Sequence, residues 1–253
     1  MAFIERDGVR VYFEDHGTGP GVLLSHGFSA SSTMWRDQVA ALREQYRVMT
    51  WDMRGHGQSD YPDDPAAYSE AQSVADMAAI LDACGLQEAV IGGLSLGGCA
   101  SLAFHLRHPE RTAALMLFDT GPGFKKDAAR EAWNETAFAQ ADRFETEGLA
   151  ALSGSEAVDT AGHRDATGLA HAARGMLAQF DDGLIQSLPD IAVPTLVLVG
   201  SEDVKFHPAT DYMAGKIPGA QKVVIDAAGH AANIDQPAAF NAAMTGFLEG
   251  LSL

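Results

Sequence analysis

Short apolar runs alternate with longer amphipathic stretches along most of this chain. "VRVYFEDHG" (Val9 to Gly17) switches between apolar and polar positions and ends in a turn, which predicts a strand. "GVLLSHG" (Gly21 to Gly27), "RVMTWD" (Arg47 to Asp52), "EAVIGG" (Glu88 to Gly93), "AALMLFD" (Ala113 to Asp119), "PTLVLVG" (Pro194 to Gly200) and "QKVVID" (Gln221 to Asp226) are compact runs expected of strands in a parallel sheet. Helical spacing appears between them. "MWRDQVAALREQY" (Met34 to Tyr46) repeats Trp35, Val39 and Leu42 on one face. "SEAQSVADMAAILDACG" (Ser69 to Gly85) opens with a serine cap and closes with glycine. "LGGCASLAFHLRHP" (Leu96 to Pro109) predicts a helix stopped by Pro109, and Ala209–Ile217 and Pro237–Leu251 predict two more.

The rhythm breaks once. From about Gly121 to Pro189 no strand-like run occurs, and an Ala-, Glu-, Asp- and Arg-rich stretch with glycine breaks predicts several helices. Alternating strands and helices on both sides of that stretch predict an α/β protein. Its sheet is mostly parallel, with helices on both faces. The expected division is a core from residues 1–120 and 190–253, with a helical insertion, 121–189, lying over it.

Composition narrows the function classes. At 47% hydrophobic and 20% charged, the chain has the material for a large core. A formal net charge of −17 argues against a basic patch for nucleic acid or an anionic membrane. The N-terminus lacks a basic segment followed by an apolar one, and no apolar run is long enough to span a bilayer. A cytoplasmic location is therefore the expectation, with no nucleic-acid and no membrane partner. Cys84 and Cys99 lie in helix-like, apolar surroundings and read as inert thiols. Neither G-x-G-x-x-G nor G-x-x-x-x-G-K occurs, and no His/Cys group has metal-ligand spacing. The expectation is no cofactor and no metal.

The chemistry concentrates at "GGLSLGG" (Gly92 to Gly98). Gly93-Leu94-Ser95-Leu96-Gly97 is G-x-S-x-G between a strand and a helix, where a sharp turn would thrust the Ser95 hydroxyl out at the carboxyl edge of the sheet. The plain alternative is a glycine turn with Ser95 as a helix cap. A serine nucleophile needs a base, and the base needs an orienting acid, here in the order Ser, acid, His. Asp203 follows the strand in "TLVLVGSED", and His230 follows the next strand in "VVIDAAGH". Asp119 and Glu202 are rival acids. Chain order and the "AGH" loop favour His230 over His16, His26, His56, His105, His108, His163, His171 and the nearest rival, His207; His105 and His108 read as surface residues. Two N–H groups should hold an oxyanion: that of Leu96, next to the nucleophile, and that of Phe28, in the loop after "GVLLSHG".

"SHGF" (Ser25 to Phe28), "DMRGHGQSD" (Asp52 to Asp60), "GLSLGG" (Gly93 to Gly98), "GSED" (Gly200 to Asp203) and "GHAANIDQP" (Gly229 to Pro237) together span nearly the whole chain. In this set the chain resembles the serine-nucleophile branch of the α/β-hydrolase superfamily. The resemblance implies an α/β-hydrolase fold, Asp203 as the triad acid, His230 as the base, and structural roles for Asp52, Arg54 and His56. It also implies that segment 121–189 is a cap, with Phe124, Trp133, Phe138, His163, Met176 and Phe180 as candidate pocket residues. Asp235 stands where the family usually has Glu and reads as a cap of the last helix. Serine at the elbow argues against the haloalkane dehalogenase and epoxide hydrolase branches, which use aspartate there. The reading is a hydrolase of a small ester or lactone through an acyl-enzyme. The alternatives are a C–C bond hydrolase of the diketone type, a cofactor-free perhydrolase, or a small-molecule receptor with very slow turnover.

Overall fold

The computed structural model of the chain describes residues 2–152 and 161–253. Eight strands form one sheet: β1 (Ala2–Arg6), β2 (Val9–His16), β3 (Gly21–Ser25), β4 (Arg47–Trp51), β5 (Ala89–Leu94), β6 (Thr112–Phe118), β7 (Thr195–Gly200) and β8 (Gln221–Ile225). Their order across the sheet is β1-β2-β4-β3-β5-β6-β7-β8. β3 to β8 run parallel, while β1 and β2 pair antiparallel at one edge. β1 is an addition to the expected strands. Its signal was the dipeptide Asp7-Gly8, where both residues take positive φ (55° and 75°) and make a two-residue hairpin turn. Ile4 then lies opposite Val11, both buried.

The parallel strands are apolar throughout because both faces are covered. On β6, Leu115 and Leu117 face one layer while Ala114, Met116 and Phe118 face the other. The first layer is built from α2 (Glu70–Ala83), α3 (Leu96–Arg107) and α7 (His207–Lys216), which contribute Ile80, Phe104 and Met213. The second comes from α1 (Arg36–Leu42) and α9 (Pro237–Glu249), through Leu42, Phe240 and Phe247. Ser69 caps α2, its hydroxyl accepting the Gln72 N–H at 3.1 Å. His105 departs from the expected surface position: it is buried on the inner side of α3, and desolvation holds its pKa down. The apolar stripe of α3 is wide enough to take it in.

No strand occurs among the described residues between β6 and β7. α4 (Asp127–Glu147) is the long element there and buries Ala137, Ala141 and Phe144, a stripe at i, i+4 and i+7. It packs on α5 (Ala166–Ala172), which runs into a wide π-helical turn, Ala173–Leu177. α6 (Gly183–Ser187) leads back to the sheet. Residues 153–160 of this stretch lie outside the described residues. Among the described residues, no helix is long and apolar enough to cross a membrane.

The segment from Asp52 to Tyr68 is the seat on which this helical stretch rests. Asp52 accepts the N–H groups of Ser32 and Gln58 at 2.7 and 2.8 Å. Arg54 makes a two-pronged ion pair with Asp76 at 2.7 and 2.9 Å, both side chains being almost wholly buried, and Arg6 adds a third contact to Asp76 at 2.8 Å. Three histidines then tie this seat to the loop after β3. His26 Nδ1 donates to the Gly27 carbonyl and its Nε2 accepts the Met53 N–H at 2.9 Å. His56 Nδ1 donates to the Arg54 carbonyl and its Nε2 accepts the Ser29 N–H at 3.3 Å. From the helical stretch, His163 Nδ1 accepts the Gly57 N–H at 3.1 Å, and its Nε2 donates to the Ser29 carbonyl at 2.9 Å. Each ring accepts one backbone N–H, so each must be neutral. Burial agrees: His26 is pushed down to about 4, His56 well below its ordinary value, and His163 lower as well.

Removing one partner of the Arg54–Asp76 pair leaves a charge buried alone. Asp76→Ala should therefore destabilise the fold by about 3–5 kcal/mol, read as a lower urea midpoint. The histidines set a pH dependence. Their folded pKa values lie below the unfolded value of 6.5, so the unfolded chain binds more protons as pH falls from 6.5 towards 4. Stability should fall through that window by up to about 1.4 kcal/mol per pH unit for each such histidine. Urea titrations from pH 7 to 4.5 measure the slope. His56→Gln, whose amide can take over both backbone bonds, should remove about one proton from it.

Candidate active site

Ser95 sits between β5 and α3 with φ 55° and ψ −115°, a conformation that costs a non-glycine residue about 1–3 kcal/mol. Close backbone packing enforces it. A Cβ on Gly93 would lie 2.3 Å from the Gly97 backbone, and one on Gly97 would lie 2.1 Å from the Ser25 carbonyl oxygen. The strand, the turn and the helix can approach only because no side chain stands there. The Ser95 N–H donates to the Phe118 carbonyl at 2.9 Å, and Thr120 Oγ1 donates to the Ser95 carbonyl at 2.6 Å. These bonds fix the backbone of Ser95, which is half-buried.

Asp203 and His230 meet at the same edge of the sheet. His230 Nδ1 donates to Asp203 Oδ2 at 2.7 Å; Asp203 is 8% exposed. Their loops are pressed together by the same device as the elbow. A Cβ on Gly200 would lie 2.3 Å from the Gly229 carbonyl oxygen. The Glu202 N–H donates to Ala228 O at 2.8 Å, and the Ala227 N–H to Ser201 Oγ at 2.9 Å. Glu202 itself points to solvent, so the rival next to Asp203 does not reach the histidine. His207 turns its Nε2 to the carbonyls of Gly200 and Ser201. Among the described hydrogen bonds none joins the Ser95 hydroxyl to His230; such contacts tighten when substrate binds.

Neither the Phe28 nor the Leu96 N–H donates in any of the described loop and cap bonds, and Leu96 opens α3, where a first N–H has no partner within the helix. The Phe28 loop is the one gripped by His26, His56 and His163, and the Phe28 ring packs edge-on against His56 and Phe144. The α3 N-terminus adds its positive end beside Ser95.

The expected pocket residues divide. Met176 is buried in the apolar cluster that holds Leu96, with Phe28 packed against it. Trp133 donates Nε1–H to the Leu177 carbonyl at 2.8 Å, and Phe124 lies against its ring. His163 has both nitrogens committed to backbone, as described above. Phe138 lies under the Arg174 guanidinium, and Phe180 is 70% exposed.

Two residues gain roles that spacing did not suggest. Asp235 does not cap the last helix. It lies at the end of α8 (Ala232–Asp235) and accepts the Gly229 N–H at 2.8 Å, bracing the residue next to His230. The four-residue helix turns it back towards the loop, which a one-dimensional reading of "HAANIDQP" has no means to show. Phe206 stacks on the His230 ring, with centroids 4.7 Å apart and planes 28° apart. Its only signal was an aromatic residue three places after Asp203.

Comparison with known proteins follows the same lines. Residues 22–243 match the family described as the alpha/beta hydrolase family. The chain is 31% identical over 252 residues to 3-oxoadipate enol-lactonase 1 of Acinetobacter baylyi, covering 92% of this chain and 90% of that one. It superposes on a thermophilic esterase from Thermogutta terrifontis with a TM-score of 0.85 at 32% identity, covering 98% and 96% of the two chains. The enol-lactonase of Burkholderia xenovorans gives a TM-score of 0.80 at 27% identity, over 98% of this chain and 100% of that one. A sheet in this order, a serine on this strand-to-helix turn and matches running nearly end to end make the chain a member of the α/β-hydrolase family.

Proposed function

We propose that this protein is a serine hydrolase that cleaves a carboxylic ester or lactone, with Ser95, His230 and Asp203 as its triad. The observation that supports it most is the 2.7 Å bond from His230 to buried Asp203 at the sheet edge where Ser95 sits on its strained turn. The esterase and lactonases among its relatives point to the same substrate class.

In this reading Ser95 Oγ attacks the carbonyl carbon as His230 Nε2 takes the hydroxyl proton. Asp203 holds the Nδ1–H tautomer and stabilises the imidazolium. The Phe28 and Leu96 N–H groups receive the oxyanion, and the α3 N-terminus reinforces them. The carbon–oxygen bond to the leaving group breaks, and His230 returns the proton to that oxygen. A water deprotonated by His230 then attacks the acyl-enzyme and releases the acid with Ser95 restored. The core is formed by 1–120 and 190–253, and 121–189 is the cap. Met176, which shares an apolar cluster with Leu96, belongs to its inner wall. Neither a metal nor an organic cofactor enters these steps.

A fluorophosphonate should add once, on Ser95, as read by intact and peptide mass, and His230→Ala should abolish the adduct. Ser95→Ala should cut turnover on the best of a panel of aryl esters, lactones and diketones by about 10³-fold or more. A folded protein that takes no label moves the slow-turnover receptor reading ahead; a label with cleavage of diketones alone moves the C–C hydrolase ahead. Asp203→Asn, which holds the wrong tautomer, should lower kcat by about 10⁴-fold.

A further inference from the structure

Asp119 has no part in those steps, yet it is the most confined carboxyl group in the neighbourhood. It follows β6, with φ 44°, and its side chain is fully buried. Its N–H donates to the Leu198 carbonyl at 2.9 Å. Oδ1 accepts the Gly200 N–H at 2.8 Å, while Oδ2 has no donor among the described residues. The charged groups around it are Asp203, from the loop after β7, and Asp235, from α8; both are acidic. An ionised carboxylate in this position would be buried with one neutral hydrogen bond, an empty oxygen and two like charges. Each of these costs free energy, and among the described residues no cation bonds to Asp119 to offset them.

One change removes all three costs. A proton on Oδ2 converts the unpartnered acceptor into a donor and cancels the repulsion. A receiver is at hand, because the described bond from His230 occupies only Oδ2 of Asp203. We propose that Asp119 is a positioning residue kept as the neutral carboxylic acid. One oxygen receives the Gly200 N–H, and its own O–H is given to the Asp203 carboxylate. The inference rests on the triad assigned above. Its consequence is a fixed acid: Gly200 is held by Asp119 through its N–H, and its carbonyl accepts the Asp203 N–H at 3.1 Å, so the turn presenting Asp203 is anchored on both sides. Throughout the reaction the Asp119 proton stays where it is, Asp203 stays a single carboxylate, and the imidazolium faces one negative charge. Burial, with the neighbouring Asp203 adding to it, pushes Asp119 up to about 8, which agrees with the geometry.

The test uses the wild-type protein and Asp119→Asn, whose amide can accept from Gly200 and donate to Asp203. At pH 6.5 the infrared spectrum of the wild type should carry the carbonyl band of a protonated carboxylic acid. The band should vanish as pH rises to 9.5 and be missing from Asp119→Asn. Absence of the band from the wild type at pH 6.5 overturns the proposal, whether or not the variant folds. Stability gives a second readout. The folded pKa of about 8 lies above the unfolded 3.8, so the folded chain holds the extra proton between them. That stabilising contribution is complete below 3.8 and is lost as pH rises through 8. The urea midpoint of Asp119→Asn should therefore gain on that of the wild type from pH 6 to 9; a constant difference overturns the proposal. The acid limb of kcat/KM should coincide in the two proteins. A second carboxylate beside Asp203 would instead move that limb down by about half a pH unit or more when it is removed. The infrared and unfolding measurements need no turnover, so they separate failure of this inference from failure of the triad.

Discussion

Backbone must touch backbone at the carboxyl edge of this sheet. At Gly93 the strand before Ser95 meets the start of α3, and at Gly97 that helix meets the end of β3, each within a distance that a single methyl group would forbid. At Gly200 the end of β7 meets the loop that carries His230 in the same way. These contacts bring loops from three parts of the sequence to one edge, and the strain at Ser95 is tolerated because every neighbour is already fixed. The cost of the turn is met by the surrounding core, where β5 and β6 are buried on both faces.

Around that edge the protein supports its loops with side-chain hydrogen bonds to their backbone. The Phe28 loop carries no secondary structure of its own, yet its backbone is bound by three neutral imidazoles. The His230 loop is held by Glu202, Ser201 and Asp235. The buried histidine bonds are worth most as a prohibition, because breaking one leaves a desolvated N–H or carbonyl behind. The Phe28 loop is thus held in place without being regular.

Electrostatics follows from the same confinement. The chain is strongly acidic, but the site brings its carboxyl groups in with distinct roles. Asp203 meets an imidazole, Asp235 meets a backbone N–H, and Asp119 meets a backbone N–H on one side and acidic neighbours on the other. For Asp119, burial beside the like charge of Asp203 makes ionisation costly. A proton retained by Asp119, the most buried of the three, removes that cost.

The sequence by itself determined the layered fold and marked the strand-to-helix turn that carries Ser95. Apolar runs buried on both faces and capped amphipathic helices are local patterns, and local patterns survive in one dimension. G-x-S-x-G is legible for the same reason, since the turn it encodes spans five residues. The antiparallel first strand was also written locally, at Asp7-Gly8. Tertiary structure alone decided the pairings between distant residues. Asp203 over Glu202 turned on which of two adjacent carboxyls points inward. Asp235 became a brace for Gly229 because a four-residue helix folds it back, and His105 went inside because its helix buries more than one stripe. His163 engaged the loop of Phe28 across 134 positions of chain. Burial, direction and long-range contact depend on the whole packed core, so no spacing along the chain carries them.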